Sequence, residues 1–321
     1  MSDAPVPSFA PPAIPWAPAH VERTHEILRR LELTITRKLD GLLQGDYRGL
    51  VPGHGSELGE TREYQPGDDT RRIDWNVTAR MQEPYVREMV ADRELETWLL
   101  VDQSASLDFG TAECEKRDLA ANAVAAIGFL TARSGNRIGA VLLRAGEAPV
   151  VVPARSGRVH LQALLHRVVT APRHDGAGTT DLAAGLERLG ATMRRRGLAV
   201  VVSDWLDPTA WTMPLRRLSV RHDVMAVEVV DRRELELADV GMLHVVDPET
   251  GATREIQTSD PALRERYRVA AAQQRAAIAA AIRGAGAHHL VLRTDDDWLR
   301  AIVRFVLLRR RSVDPSAPVK V

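Results

Sequence analysis

The chain of 321 residues is 45% hydrophobic, enough to bury the core of one large α/β domain with additions or of two modest domains. Lysine plus arginine and aspartate plus glutamate each number 43, and this balance argues against a dedicated nucleic-acid binder, which usually has a basic excess. The single cysteine, Cys114, excludes an intramolecular disulfide and a multi-cysteine zinc site and is typical of a reducing compartment.

The segment before residue 96 is predicted to be an irregular N-terminal extension. Residues 1–20 contain six prolines and no basic region, so we expect a disordered tail and not a secretory signal. Residues 21–95 are predicted to begin with a helix and to continue as loops and short strands around turns. The helix is indicated by apolar residues three or four positions apart: Ile27, Leu31, Ile35, Leu39 and Leu42.

Residues 96–312 are predicted to form one α/β domain, followed by a flexible tail over 313–321. Apolar strands alternate with helices, which is typical of a mostly parallel sheet covered on both faces. The predicted strands are TWLLVD, RIGAVLLRA, APVVVPAR, LAVVVSDWL, HDVMAVEVV and HHLVLRT, and the predicted helices lie at Glu113–Ser134, His160–Val169, Asp181–Arg196, Pro261–Arg283 and after the capping residues Asp295–Asp297. The second and third strands, joined through GE, form a hairpin that implies one antiparallel edge strand, and MLHVVDPETGATREIQ indicates a polar hairpin insert. Because no run of about 18 apolar residues occurs, we expect a soluble cytoplasmic protein without a membrane span.

Polar side chains follow three of these elements, at the edge where open α/β sheets bind ligands. Asp102, Ser104 and Ser106 follow the first strand in VDQSAS, Thr180 ends a glycine-rich loop before a helix, and Asp204 ends the strand in VVVSDWLD. Side chains two apart in an extended segment point the same way, so the first three can converge.

Carboxylate and hydroxyl oxygens are ligands that a small cation such as Mg²⁺ prefers, and no histidine or cysteine accompanies them. Each motif taken singly has a plain alternative, because aspartate, serine and threonine also cap helices and form turns. Their occurrence together at successive strand ends favours a metal site.

This set of residues resembles the metal-ion-dependent adhesion site of von Willebrand factor A domains. The resemblance covers Asp102, Ser104 and Ser106, then the threonine of GTTDLAAGL and the aspartate of VSDWLD. Thr180 fits better than Thr179, because Leu186 lies six residues after Thr180. The sequence departs from the family pattern at Thr179 and Gly185, which replace glycine and alanine, and at Trp205, which stands where glycine is common.

A longer motif upstream, REYQPGDDTRRIDWNVTAR, resembles the signature of the bacterial domain-of-unknown-function family fifty-eight. That family carries the segment just ahead of a von Willebrand A-like domain. The resemblance implies a von Willebrand A-like, Rossmann-like fold, bound Mg²⁺ (or Mn²⁺ or Ca²⁺) and a role as an adaptor for a MoxR-type AAA+ ATPase in chaperone-like assembly or maturation.

The signature itself allows three interpretations. Its dense charges could form an active site, could pin the extension to the sheet domain through ion pairs, or could dock a partner; we favour the structural role. The residues concerned are Tyr64, Asp68, Asp69, Arg71, Arg72, Asp74, Trp75 and Arg80.

We therefore expect a metal-dependent protein-interaction module that is not an enzyme, in which an acidic residue of a protein partner completes the coordination of the metal. The rival hypothesis is a Mg²⁺-dependent hydrolase or phosphotransferase with Ser104 or Asp102 as nucleophile. It is disfavoured because a nucleophilic serine needs an adjacent base, and only His174 is near these loops in sequence. A third possibility is a structural domain that has lost its metal.

Overall fold

The computed structural model describes residues 61–65, 70, 73–81, 83–87, 96–112, 114–133, 135–173, 180–207, 209–247 and 251–313, with Leu33 and Ile35. The predicted tail 1–20 lies outside these ranges, as do most of the predicted N-terminal helix and all of the predicted tail 313–321 except Val313, which ends the last helix. Ile35 is helical and fully buried, which agrees with the apolar stripe on which that helix was predicted.

Ten strands and seven helices occur in the described ranges. The strands are β1 (Thr61–Glu63), β2 (Tyr85–Arg87), β3 (Glu96–Asp102), β4 (Arg137–Leu143), β5 (Val150–Arg155), β6 (Leu198–Ser203), β7 (Asp223–Val230), β8 (Met242–Val246), β9 (Thr253–Gln257) and β10 (His288–Arg293). The helices are α1 (Trp75–Met81), α2 (Lys116–Arg133), α3 (Arg158–Val169), α4 (Leu182–Thr192), α5 (Thr212–Arg221), α6 (Pro261–Gly284) and α7 (Trp298–Val313).

Six strands form the central sheet in the order β10-β7-β6-β3-β4-β5. All neighbours run parallel except β5, which pairs antiparallel with β4 at the edge. Pro153 lies in β5, where an edge strand tolerates a missing N–H group. The predicted mostly parallel sheet with one antiparallel edge strand is therefore confirmed.

Alternating side chains of the strands fill two separate cores. Leu99 and Val101 of β3 belong to the core with α2, α3 and α7, whereas Trp98 and Leu100 belong to the core with α4, α5 and α6. Helices thus cover both faces, which explains why the strands are near-continuous apolar runs. Among the helices of the described ranges, none combines the length and apolar character that a membrane crossing requires.

Two helices were not predicted from the sequence. Helix α5 connects the parallel strands β6 and β7, a connection that needs a crossover, but its ten residues include Pro214 and only a short apolar stripe. Helix α1 falls in the extension, where only loops and short strands were expected. Helix α4 ends at Thr192, four residues before the predicted end, whereas the hairpin insert is confirmed as β8 and β9.

Candidate functional site

The candidate site lies where the order of the strands reverses. From β3 the chain continues to β4 on one side, and β6 later adds to the other side of β3. The carboxyl ends of β3 and β6 therefore border a crevice, the usual ligand position in open α/β sheets. Asp102 is the last residue of β3, and Asp204 directly follows β6.

Asp102 is buried, with 3% of its surface exposed, and both of its carboxylate oxygens accept hydrogen bonds. The backbone N–H of Ser104 donates to Oδ1 at 2.9 Å, and the hydroxyl of Ser203 donates to Oδ2 at 2.7 Å. The first bond fixes the turn after β3, and the second joins β3 to β6.

The two predicted serines lie close together although the strand end does not continue straight. Ser104 is extended, but a one-turn 3-10 helix at Ala105–Leu107 follows it and contains Ser106. The hydroxyl oxygens of Ser104 and Ser106 are 3.0 Å apart, and Ser106 is near enough to Asp204 to contribute to the lowered pKa of that carboxyl. The side chains thus converge through a turn and not through the extended geometry assumed from the sequence.

Asp204 is as buried as Asp102. It is paired with the side chain of Lys116, a contact that was not predicted from the sequence. Its Oδ1 accepts the N–H of Leu206 at 3.1 Å, and its Oδ2 accepts a hydrogen bond from Lys116 Nζ at 2.9 Å. The next residue, Trp205, has a φ of 61°, the left-handed conformation that glycine adopts most easily. Trp205 thus has a backbone conformation typical of glycine, and glycine is common at this position in the metal-ion-dependent adhesion sites that the sequence resembles.

Thr180 lies in the loop before α4 and is 4% exposed. Two residues later, the N–H of Leu182 donates to Asp207 at 2.7 Å, so this loop is tied to the loop that carries Asp204. Asp181 caps α4 by accepting from the N–H of Ala184 at 2.9 Å. The Thr180 loop is therefore held beside the other predicted residues, while Thr179 and His174 lie outside the described ranges.

The two carboxylates of the site differ in protonation. Burial and then the nearby charge of Asp204 raise the pKa of Asp102 to about 7. Burial alone would also raise the pKa of Asp204, but the ammonium of Lys116 beside it lowers that pKa. Burial likewise opposes the charged form of Lys116, yet Asp204 and Glu234 together raise the pKa of its ammonium group. Within the described residues no ion pair involves Asp102, so its negative charge is poorly compensated.

Lys116 belongs to a buried ion network that sequence reasoning missed. Its Nζ also lies 2.5 Å from Glu234, which in turn accepts a hydrogen bond from Arg275 at 3.1 Å. Arg275 extends the network to Glu228 at 2.9 Å, and His289 contacts the same carboxylate at 2.7 Å. One signal was available: in a chain that otherwise uses arginine, lysine occurs only at positions 38, 116 and 320.

The histidine pair at the start of β10 behaves as its alternation in a strand predicts. His288 is half exposed near Asp223, whereas His289 is buried against Glu228, so the two do not share a ligand. Across the described residues, no group of three or more histidine, cysteine, aspartate or glutamate side chains could hold a metal ion. A cation in the crevice would therefore depend on hydroxyl as well as carboxylate oxygens.

Only part of the upstream signature falls in the described ranges. Asp68, Asp69, Arg71 and Arg72 lie outside them. Asp74 is buried, and its Oδ1 accepts the N–H groups of Asn76 at 3.0 Å and Val77 at 3.3 Å at the start of α1. Trp75 is 70% exposed. These two contacts of Asp74 are those of a helix cap within the extension, and the predicted ion pairs to the sheet domain stay a prediction.

The fold and the crevice place the chain among the α/β proteins that gather polar side chains at a switch point of a mostly parallel sheet. The family described as "Protein of unknown function DUF58" matches residues 60–277, and the chain belongs to it. An uncharacterized protein of Mycobacterium tuberculosis is 56% identical over 284 residues, which cover 88% of this chain and 89% of that protein.

Two solved structures are similar at low sequence identity. The conserved hypothetical protein BatB of Bacteroides thetaiotaomicron is 10% identical, with a TM-score of 0.42, over 68% of this chain and 100% of BatB. The SpRpn10 VWA domain is 14% identical, with a TM-score of 0.39, over 65% of this chain and 93% of that domain.

Proposed function

We propose that this protein is a metal-dependent protein-interaction module without enzymatic activity. The observation that carries the proposal is the convergence of Asp102 and Asp204 with two serine hydroxyls at the switch point. A divalent cation, Mg²⁺ or else Mn²⁺ or Ca²⁺, would be held by Asp102, Ser104, Ser106, Thr180 and Asp204. These residues resemble the ligand set of a metal-ion-dependent adhesion site.

The chemistry of these side chains fits such a cation. They offer carboxylate and hydroxyl oxygens, which are hard ligands, and Mg²⁺ characteristically uses few protein carboxylates and keeps other positions for water or a partner. The raised pKa of Asp102 supports the proposal, because burial and then the nearby charge of Asp204 oppose its ionisation, and within the described residues no cationic side chain pairs with it. A bound divalent cation would supply that charge and would attract a carboxylate of a partner.

The contacts of Ser104 favour binding over catalysis. Its hydroxyl lies 3.0 Å from that of Ser106, and its backbone N–H donates to Asp102; neither neighbour forms the histidine-based relay that most nucleophilic serines use. We therefore retain the hydrolase or phosphotransferase only as the alternative to be tested.

We further propose that the partner is a protein, namely a MoxR-type AAA+ ATPase or its client, with an acidic residue that completes the metal site. This part is supported by the resemblance of the signature segment to its family. The balanced charge of the chain is consistent with a protein partner and not with nucleic acid.

A capture experiment tests the partner. The full-length protein is used as bait for a purified MoxR-type ATPase in Mg²⁺, in chelator, and after Mg²⁺ is restored, with Asp102→Ala as the variant. Asp239→Asn is the control, because Asp239 is exposed and pairs with Arg264 away from the crevice. We expect capture to require Mg²⁺ and Asp102; equal capture in chelator would refute metal-bridged docking.

Calorimetric titration of Mg²⁺ or Mn²⁺ tests the metal directly. We expect binding heat in the wild type and its loss in Asp102→Ala. Absence of heat in the wild type would contradict the metal site.

A further inference from the structure

The ammonium group of Lys116 lies against a carboxylate oxygen of Asp204, one of the proposed metal ligands. Lys116 begins α2 and is completely buried. Its Nζ lies 2.9 Å from Asp204 Oδ2, while the other oxygen of Asp204 accepts the N–H of Leu206. The ammonium of Lys116 is therefore already paired with Asp204, one of the two carboxylates proposed as metal ligands.

Glu234 offers the same ammonium a second anchor. Its Oε1 lies 2.5 Å from Lys116 Nζ, and its Oε2 accepts hydrogen bonds from the N–H of Asp231 at 3.0 Å and from Arg275 at 3.1 Å. These donors fix the Glu234 carboxylate in place. Lys116 can therefore give up Asp204 and stay paired inside the protein, without carrying an unpaired charge into the core.

The type of cation also matters. Lysine carries a compact point charge with three donors, whereas the guanidinium of arginine is a wide planar fork. The chain has lysine at only 38, 116 and 320, so the ammonium at this buried position contrasts with its general use of arginine. A compact charge on a flexible stem suits a group that shares two carboxylates.

We propose that Lys116 is a built-in competitor of the divalent cation, and that it sets the metal affinity of the crevice by sharing Asp204. In the metal-free state its ammonium bridges Asp204 and Glu234. When a divalent cation binds, the ammonium releases Asp204 Oδ2 and remains on Glu234. The inference rests on the metal site of the proposed function and assigns the residue that regulates it.

Calorimetric titration of Mg²⁺ into the full-length protein and its variants tests the competition. Lys116→Met is expected to bind Mg²⁺ about tenfold more tightly than the wild type, because Asp204 is then free of the ammonium. Arg117→Met is the matched control: it removes a positive charge one residue away, where the guanidinium pairs with Asp108. It should leave the affinity unchanged within about a factor of two.

A double variant separates direct competition from a general change of charge. Lys116→Met combined with Glu234→Gln removes one positive and one negative charge, so the net charge of the network is that of the wild type. Competition predicts that this variant still binds Mg²⁺ more tightly than the wild type, whereas a pure field effect predicts equal affinity. The balanced change also guards against unfolding, which is checked by circular dichroism and thermal melting.

The outcomes distinguish this inference from the proposed function. Binding in the variants without binding in the wild type would support competition and would contradict metal-dependent docking by the natural protein. Wild-type and double-variant affinities that are equal, or an absence of binding in all proteins, would overturn the role assigned to Lys116.

Discussion

The hydroxyl of Ser203 donates a 2.7 Å hydrogen bond to Oδ2 of Asp102, across the neighbouring ends of β6 and β3. The same hydroxyl accepts a hydrogen bond from the N–H of Trp205 at 3.1 Å. The side chain of Ser203 therefore positions both Asp102, a candidate ligand at the end of β3, and the turn that follows β6. Ser203 is fully buried.

Ser203→Ala should therefore destabilise the protein by about 1–3 kcal/mol at pH 8, because a buried carboxylate and a buried N–H each lose a partner. Ser219→Ala is the control, since the Ser219 hydroxyl bonds only the carbonyl of Leu215 within the same helix and its loss should cost about 0.5 kcal/mol or less. Urea unfolding at fixed pH measures both. Equal effects of the two substitutions would contradict the role given to Ser203.

The stability of the protein is expected to depend on the protonation of Asp102. Because the pKa of Asp102 is raised to about 7, the folded state holds this proton more tightly than the unfolded state. The resulting stabilisation is complete below the unfolded pKa of about 4 and is lost as pH rises to about 7. Asp102→Asn mimics the protonated form, so it should be more stable than the wild type at pH 8 by about 1–2 kcal/mol.

That advantage should shrink towards pH 5 in the absence of divalent cations. Asp231→Asn provides a contrast: burial opposes its charge, but hydrogen bonds from Thr111 and Arg233 lower the pKa of Asp231. Asp231→Asn should lower the stability of the protein near neutral pH, and this loss should diminish as the pH falls through the pKa of Asp231 in the folded state. Thermal melts from pH 4 to 8 test both, and an Asp102→Asn effect that is independent of pH would contradict the first.

His222 is expected to weaken the protein in mild acid. It is 5% exposed, and neither ring nitrogen has a hydrogen-bond partner among the residues that the structure describes. Burial, followed by the charges of Arg221 and Arg196, lowers the pKa of this imidazole. The unfolded chain therefore binds the proton more readily, and stability falls as pH drops through the unfolded pKa of about 6.5.

His222→Leu should remove that component and should raise stability at pH 5 by about 1 kcal/mol relative to its effect at pH 8. His288→Leu is the control, because that side chain is half exposed. The comparison of each variant with the wild type at both values of pH is needed, since other groups also titrate. Parallel pH profiles of His222→Leu and the wild type would contradict the prediction.

The left-handed backbone at Trp205 predicts an unusual order of substitutions. Trp205 is 1% exposed, donates its indole N–H to the carbonyl of Val227 and packs edge-on against Trp211 at 5.0 Å. Trp205→Ala should cost about 3–5 kcal/mol. Trp205→Gly should be about 1 kcal/mol more stable than Trp205→Ala, because glycine has no penalty at a φ of 61°.

Trp98 provides the opposite case within the same fold. It is a buried residue in the interior of β3, where glycine is less favourable than alanine by about 0.5–1 kcal/mol. Denaturant unfolding of the alanine and glycine variants at both positions therefore separates the effect of the backbone conformation from the loss of the indole ring. The same order at both positions would show that strain at Trp205 is not significant.

The sequence predicted the architecture well because the burial of each element is visible in its pattern of apolar residues. Strands such as LAVVVSDWL are buried on both faces, so they are continuous apolar runs with polar residues only at their ends. The antiparallel edge strand was predicted from the short link between β4 and β5. Helix α5 was missed because a ten-residue segment with a proline at its third position carries little periodic signal.

The site shows the same division. Asp102, Ser104, Ser106, Thr180 and Asp204 were identified from local motifs, because each lies at, or within four residues of, the end of a strand or the start of a helix. Lys116 has no such motif. It lies 88 residues before Asp204 and 118 before Glu234, and nothing local marks these three as neighbours.

The sequence by itself determined which strands are buried, where their polar ends lie, and which carboxylate and hydroxyl side chains those ends present. It could do so because each of these properties depends on residues a few positions apart. Only the tertiary structure decided that β3 and β6 are adjacent, that Ser203 holds Asp102, and that the ammonium of Lys116 lies on Asp204. Those contacts depend on how distant segments cross the sheet, and the charge of a buried site is set by whichever side chains the packing brings together.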